Sequence, residues 1–168
     1  FPGIPGLPGI PGFPGAPPAG GGGTPPAGGG SGQAAQQIDP NLATVATVPL
    51  MQLQMTHAPG MTKEGPVLAG NFGEGTSLES AVQLTPNKCY TIIGTGAGIT
   101  ELDIQLVILA PIPGQPPVLA QDNMQGATAV VGASGSCFKW QWPVGANAKW
   151  IMTATKGSGV AAAQLYVK

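Results

Sequence analysis

Residues 89–109 read C-Y-T-I-I-G-T-G-A-G-I-T-E-L-D-I-Q-L-V-I-L, and this stretch decides the fold class of the chain. β-Branched and aromatic residues on both sides of a glycine run are typical of strands separated by a turn. We therefore predict strands at Cys89–Ile93 and Glu101–Leu109, with a hairpin turn at Gly94–Gly98 between them. Glycine-rich turns of this kind lack the Lys and helix start of a phosphate-binding loop.

Short β-rich runs separated by turn residues continue on both sides of this stretch. The other predicted strands are Pro66–Ala69, Ser77–Leu84, Val118–Gln121, Thr128–Val131, Cys137–Trp142, Lys149–Thr155 and Ala162–Val167. Turns are predicted at Thr85–Asn87, Pro113–Pro117, Gly132–Gly135 and Lys156–Gly159. The spacing predicts a mainly β domain over residues 61–168, an antiparallel jelly-roll-like β-sandwich.

A short helical segment is predicted before this domain, at residues 39–60. Asp39 is a helix N-cap residue and Pro40 suits the first helical position, while Ala58-Pro59-Gly60 ends the segment. Pro49 should kink the helix or split it into two short helices. A strand is the competing interpretation, because residues 43–55 also contain β-formers.

The N-terminus carries a strict three-residue period, G-I-P-G-L-P-G-I-P-G-F-P-G-A-P over residues 3–17. Proline fixes φ and extends the preceding residue, so residues 1–18 are predicted to form a polyproline II helix with three residues per turn. Every third residue falls in the same row along this helix, so one row contains only glycine and another contains apolar side chains. The glycine row contains Gly3, Gly6, Gly9 and Gly12, and the apolar row contains Ile4, Leu7, Ile10 and Phe13. We predict that both rows make assembly contacts with other chains.

This repeat resembles the Gly-X-Y repeat of collagen over five triplets. The resemblance implies chain association through close backbone approach at glycine. A larger bundle, or docking onto neighbouring β-domains, is as plausible as a collagen-type trimer, and a Pro-rich linker is the plainer alternative. Residues 19–38 are predicted to be a Gly/Pro-rich linker.

Charged residues make up only 8% of the chain, and none of them is Arg. Nucleic-acid binding needs concentrated cations, so this composition argues against a nucleic-acid partner. No apolar run approaches the roughly 18 residues of a membrane span. Because the sequence begins with Phe1, we expect that an N-terminal piece such as a secretory signal peptide has been removed. A secreted protein, extracellular or on the cell surface, is predicted.

Cys89 and Cys137 are the only two cysteines. In a secreted chain a disulfide between them is expected, and closing a loop of about 50 residues stabilises a fold by roughly 4 kcal/mol in the chain-entropy model. Buried thiols or interchain bridges are the alternatives.

No catalytic residue, metal site or cofactor is predicted. His57 is the only histidine. It lies at a predicted helix end, where the helix dipole favours an imidazolium, and this is a sufficient structural reason for a histidine at this position. No Ser or Cys nucleophile lies in a recognisable elbow, so the chain is predicted not to be an enzyme. Glu101 and Asp103, with Asp122 and Asn123 from a later turn, are oxygen donors of the type that Ca²⁺ takes, but solvated strand carboxylates are the commoner interpretation.

Three tryptophans form a possible surface or ligand contact. Trp140 and Trp142 would share a strand face, and Trp150 would begin a neighbouring strand. Such a set suits a polysaccharide platform or a subunit contact, while burial in the core is the alternative.

Four runs also resemble a bacterial pre-peptidase C-terminal domain. They are L-T-P-N-K-C-Y-T-I-I-G-T-G at residues 84–96, I-T-E-L-D-I-Q-L-V-I at 99–108, L-A-Q-D-N at 119–123 and A-K-W-I-M-T-A-T-K-G-S-G-V-A-A-A-Q-L-Y-V at 148–167. The resemblance implies a secreted jelly-roll-like module of the kind appended to extracellular enzymes and surface proteins.

Together these features predict a structural subunit of a secreted, extracellular homopolymeric filament or surface assembly. The N-terminal repeat would pack between subunits. The alternative is a secreted binding module, with polysaccharide as a possible ligand of a tryptophan-bearing sheet face.

Overall fold

The computed structural model describes residues 32–168, which belong to one compact unit. The predicted polyproline II segment and most of the predicted linker lie outside the described residues. The described part is mainly β, with one antiparallel eight-stranded sheet and one short helical segment. The strands are β1 (Gln36–Gln37), β2 (Thr62–Phe72), β3 (Ser77–Leu84), β4 (Cys89–Ile108), β5 (Val118–Gln121), β6 (Thr128–Val131), β7 (Phe138–Lys139) and β8 (Ala146–Val167).

Two long strands, β4 and β8, pair antiparallel along almost their whole length. Their register runs from Tyr90 opposite Val167 to Ile108 opposite Ala148. The register shifts three times between Ala97 and Leu102. Bulges of this kind bend the strands that contain them.

Strand β4 doubles back on itself at this bend. A Cβ placed on Gly94 would lie 2.7 Å from Cδ1 of Ile104, ten residues further along the same strand. A straight strand would separate those residues by about 33 Å. The two halves of the sheet therefore face each other across one core.

The flanking strands divide between the two halves. Strands β2, β6 and β7 pair with the half that contains Tyr90–Ala97 and Val160–Val167, and β1 pairs with β2. Strands β3 and β5 pair with the other half. Side chains from both halves share the core, among them Phe72, Leu84, Ile92, Leu102, Ile104, Met152 and Leu165.

The predicted turns at Gly94–Gly98 and Lys156–Gly159 are wrong, because both segments continue as strand. Gly98, Gly157 and Gly159 meet across the β4–β8 pair instead of reversing the chain. A Cβ on Gly159 would overlap the carbonyl oxygen of Ala97, and Gly157 has a φ of 81°. Glycine at this point allows close backbone approach and the bend.

Several local predictions are confirmed. Strands β3, β5 and β6 have the predicted boundaries. The turn at Thr85–Asn87 is closed by the Lys88 N–H donating to the Thr85 carbonyl at 3.2 Å. Residues 36–37 lie inside the segment that composition predicts to be linker, yet they pair with β2.

The helical segment begins where the sequence predicts. The Asp39 carboxylate accepts a hydrogen bond from the Asn41 N–H at 2.8 Å and caps a 3₁₀-helix at Pro40–Ala43, which leads into α1 (Thr44–His57). The predicted split at Pro49 is wrong, since α1 continues through it. Its buried face lies against the outer side of the sheet, where Leu50 contacts the cluster of Ile93 and Tyr166. This packing offsets the hydrogen bond that proline removes.

Within residues 32–168, no helix has the length and apolarity required to cross a bilayer.

Replacement of Gly159 by Ala should destabilise the fold strongly. The new Cβ would overlap backbone on the paired strand, so the β4–β8 ladder must open locally. We expect a loss of about 2–3 kcal/mol, which corresponds to a melting temperature lower by roughly 4–12 °C. Gly73→Ala is the control, because its Cβ would meet only Cγ2 of Thr76 at 3.7 Å. Equal melting of Gly159→Ala and the wild type would contradict the bend as described.

Candidate functional site

The outer side of the helical segment carries five large apolar side chains in contact with solvent. We call this surface the apolar helix face, and it consists of Leu42, Val45, Val48, Met51 and Met55, which are 55–75% exposed. Their spacing of three, three, three and four residues keeps them on the solvent side. The opposite side of the segment buries Ala43, Ala46 and Leu50 against the sheet.

The sequence around the apolar helix face carries no charged side chains. Between Asp39 and Lys63 the sequence contains no Asp, Glu, Lys or Arg, and His57 is buried. An amphipathic surface helix normally places charges on its solvent side. An exposed apolar surface of this type marks an interaction site more often than a free surface. Sequence reasoning missed it, although an apolar helix without charges on either face was the available signal.

His57 has a structural role. Its Nδ1 accepts a hydrogen bond from the Ser134 backbone N–H at 3.1 Å, which connects the end of α1 to the 3₁₀ turn at Ala133–Gly135. This bond holds the His57 ring in place at the end of α1.

The three tryptophans do not form one platform. Trp140 and Trp150 are buried in the core, and Trp140 Nε1 donates to the Val144 carbonyl at 2.8 Å. The predicted strand Cys137–Trp142 is reduced to β7, and only Trp142 reaches solvent. Because a buried indole presents no face to a ligand, the surface contact predicted for Trp140 and Trp150 is wrong.

Trp142 borders a cavity of about 520 Å³. Leu119 and Phe138 add apolar wall, and Gln121 and Gln141 add amide groups. Aromatic faces with nearby hydrogen-bonding groups are the ordinary requirement of a small polar ligand. The cavity beside Trp142 suits the alternative role in polysaccharide binding.

A second, polar groove of about 370 Å³ lies on the outer side of the other half-sheet. It is lined by Asp103, Gln105, Gln121, Asp122, Thr153 and Thr155. The Asp103 carboxylate accepts a hydrogen bond from the Thr155 hydroxyl. Sequence reasoning found the carboxylates but missed the Gln and Thr residues, because strand pairing brings them together.

Asp122 is the buried group of this groove. Its Oδ1 accepts from the Ile104 N–H at 2.7 Å, whereas Oδ2 has no hydrogen-bond partner among residues 32–168. Burial raises the pKa of Asp122; the Ile104 hydrogen bond opposes this effect and the charge of Asp103 adds to it.

The four oxygen donors weighed for Ca²⁺ do not converge. Glu101 Oε2 accepts from the Gly126 N–H at 3.0 Å, and Asn123 is exposed. Across the described residues, no group of three or more His, Cys, Asp or Glu side chains is placed to hold a metal ion.

Cys89 and Cys137 form the predicted disulfide, with their Cα atoms 5.5 Å apart. It connects the first residue of β4 to the residue before β7, beside the pair of hydrogen bonds that Cys89 exchanges with Lys168. The covalently closed segment therefore runs from Cys89 to Cys137 and contains β4, β5 and β6. The two thiol alternatives are excluded.

The predicted assembly residues, which are Ile4, Leu7, Ile10, Phe13, Gly3, Gly6, Gly9 and Gly12, lie outside the described residues. No protein-family model and no curated protein matches the chain. Both family resemblances therefore stay predictions.

Replacing both cysteines by alanine should lower stability without changing the fold. The cysteines are 48 residues apart, and the chain-entropy model assigns such a loop roughly 4 kcal/mol. We expect the melting temperature of Cys89→Ala/Cys137→Ala to fall by about 8–16 °C. The wild type melted in a reducing agent is the parallel measurement. A double variant that melts within about 2 °C of the oxidised wild type would contradict this role.

Asp122→Asn should stabilise the protein at neutral pH. A raised folded pKa means that the folded state binds a proton that the unfolded chain has released, so stability falls as pH rises through this range. The variant removes this penalty and keeps the acceptor for the Ile104 N–H. We expect a higher melting temperature than the wild type at pH 7 and no difference near about pH 3, where both states are protonated. A lower melting temperature at pH 7 would show that the ionised carboxylate is stabilising.

Proposed function

We propose that the protein is a structural subunit of a secreted extracellular homopolymeric filament or surface assembly, in which the N-terminal Gly-X-Pro segment packs between subunits. The apolar helix face is the observation that carries this proposal. The domain satisfies its own core and still leaves five large apolar side chains of one helical segment in water.

The free energy available at this face is sufficient for assembly. Full burial of an aliphatic or Met side chain is worth about 1.5–3 kcal/mol. Because the five side chains are 55–75% exposed, covering them contributes roughly 5–10 kcal/mol before ordering costs. Association in the micromolar range requires about 8 kcal/mol, so this face and the apolar row of the N-terminal segment together supply enough.

Low charge supports the same proposal. The formal net charge is −1 and charged residues are 8% of the chain. A typical soluble surface carries about a quarter charged residues and a net charge that keeps copies apart. Here electrostatic repulsion between copies is weak, which favours close packing of subunits.

The disulfide supports an extracellular location, since such bonds persist in oxidising compartments. We interpret the doubled antiparallel sheet as a jelly-roll-like sandwich, in agreement with the resemblance of residues 84–167 to secreted pre-peptidase C-terminal modules. The proposed role is structural and not enzymatic.

A secreted polysaccharide-binding module is the second candidate. The cavity beside Trp142 favours it, because this exposed indole stands next to the Gln121 and Gln141 amides. Burial of Trp140 and Trp150 removes the wider platform on which that role was predicted. Saturable binding of a glycan by a monomeric protein, lost in Trp142→Ala, would support this candidate over the first.

Deletion of residues 1–17 should abolish assembly and leave the domain folded. The full chain is expected to form large species in light scattering behind size exclusion, and filaments or sheets in negative-stain electron microscopy. The truncated chain should elute as a monomer with an unchanged melting temperature, because the core lies within residues 35–165. A full chain that stays monomeric at high concentration would refute the polymer role, and filaments of normal length from the truncated chain would refute the part given to the N-terminal segment.

A further inference from the structure

We propose that the apolar helix face is the docking site for the Gly-X-Pro segment of a neighbouring copy, so that subunits join head to tail. This inference rests on the proposed function and names the surface that receives the segment. The donor residues are Ile4, Leu7, Ile10 and Phe13, and the acceptor residues are Leu42, Val45, Val48, Met51 and Met55.

The two surfaces match in expected length. In the polyproline II helix predicted for residues 1–18, with a rise of about 3.1 Å per residue, the apolar row would repeat every ~9.3 Å and Ile4 to Ile10 would span about 19 Å. The 14 residues of α1 extend for about 21 Å. One helical segment therefore accepts three consecutive side chains of the row.

The spacing of the side chains also matches. Val48 and Met55 are seven residues apart, which places them nearly in line on the helix surface and about 10.5 Å apart along its axis. This separation is close to the ~9.3 Å repeat expected for the donor row. Successive donor side chains can thus insert between alternate acceptor side chains.

The chemistry of the two surfaces is complementary. Residues 1–38 contain no ionisable side chain, and the acceptor segment offers apolar groups with exposed neutral neighbours at Gln52 and Thr56. A polyproline II backbone has no internal hydrogen bonds, so its glycine N–H groups and carbonyls need outside partners. Amide and hydroxyl side chains beside an apolar surface supply such partners. Methionine adapts its shape to a docked side chain.

The donor is assigned to a neighbouring copy because the proposed polymer requires a contact between subunits. Gln33 and Ala35 are bonded to the backbone of Ser77, and the chain then runs through β1 to Ile38, whose N–H donates to Ala69 before the helical segment begins. The seven residues from Gln33 to Asp39 cover at most about 20 Å. The chain therefore enters the domain no more than about 20 Å from its own helical segment, and a Gly-rich linker over residues 18–32 has an expected mean span of about 20 Å. Docking within one subunit is thus within reach of the linker, and the mixing experiment below distinguishes it from docking between copies.

The chain enters the domain at one position and the apolar helix face lies at another, and this difference affects the symmetry of the proposed assembly. A contact between two different surfaces of the same subunit is heterologous, and such contacts form rings or open filaments rather than closed dimers. Head-to-tail docking in this manner agrees with the proposed polymer.

The first test changes two acceptor residues in the full chain. Val48→Gln/Met51→Gln places polar side chains at exposed helical positions, so the melting temperature should not change, while the critical concentration for assembly should rise at least ~10-fold. Leu109→Gln/Val144→Gln is the matched control, since Leu109 and Val144 are 54% and 67% exposed against 55% and 61% for Val48 and Met51. The control should assemble as the wild type does. If the double acceptor variant melts early, Met51→Gln alone serves the same comparison.

The second test mixes two full-length variants that should each be inactive. The acceptor variant Val48→Gln/Met51→Gln retains a working donor segment, and the donor variant Leu7→Gln/Ile10→Gln retains a working acceptor. An equimolar mixture should form a species of twice the chain mass and nothing larger, because only one donor and one acceptor remain per pair. Two unmixed monomer populations would overturn docking between copies.

The outcomes separate this inference from the proposed function. Normal assembly of the acceptor variant, or failure of the Leu109→Gln/Val144→Gln control alone, would overturn the helix face as the docking site while the polymer remains. A wild-type protein that does not assemble at all would overturn both.

Discussion

The antiparallel pairing of β4 with β8 is the interaction on which the rest of the structure depends. It continues from Tyr90 opposite Val167 to Ile108 opposite Ala148, and the other six strands of the sheet are attached to one of its two halves directly or through β2. Both strands must bend at the same level for the halves to share a core. The bulges between Ala97 and Leu102 and the glycines at 157 and 159 meet there. The shared core, the sheet surface against which α1 packs and the polar groove all follow from this one bend.

The sequence predicted what is determined locally. Strand β3, the Asp39 cap and the disulfide follow from propensity, capping chemistry and cysteine count. It did not predict the continuity of β4, because glycine signals both a turn and a close approach between backbones. Only the partner strand distinguishes these cases, and pairing across some 60 residues is absent from a local pattern. Of the two outcomes predicted at Pro49, the split does not occur for a similar reason, since tertiary packing holds α1 together through it.

The candidate sites show the same division. Trp140 and Trp142 alternate correctly for a shared face only if the strand continues, and it ends at Lys139. The polar groove joins Gln121 and Asp122 to Thr153 and Thr155, which no spacing rule connects. The apolar helix face was visible in the sequence as residues 40–62 without an acid, Lys or Arg. The sequence does not show that these side chains are exposed, because that depends on the sheet covering only the opposite side of the helix.

Stability and the proposed assembly would depend on different residues in this protein. The core, the β4–β8 bend and the disulfide hold the domain together without help from the exposed side chains of α1. Because Leu50 and Ala46 already attach the helix to the sheet, Val48 and Met51 on the other side are free for another partner. Retaining apolar groups there costs solubility, since a monomer gains nothing from exposing them. Burial between subunits would account for such a surface. The uncharged, periodic N-terminal segment is the part of this chain whose chemistry suits it.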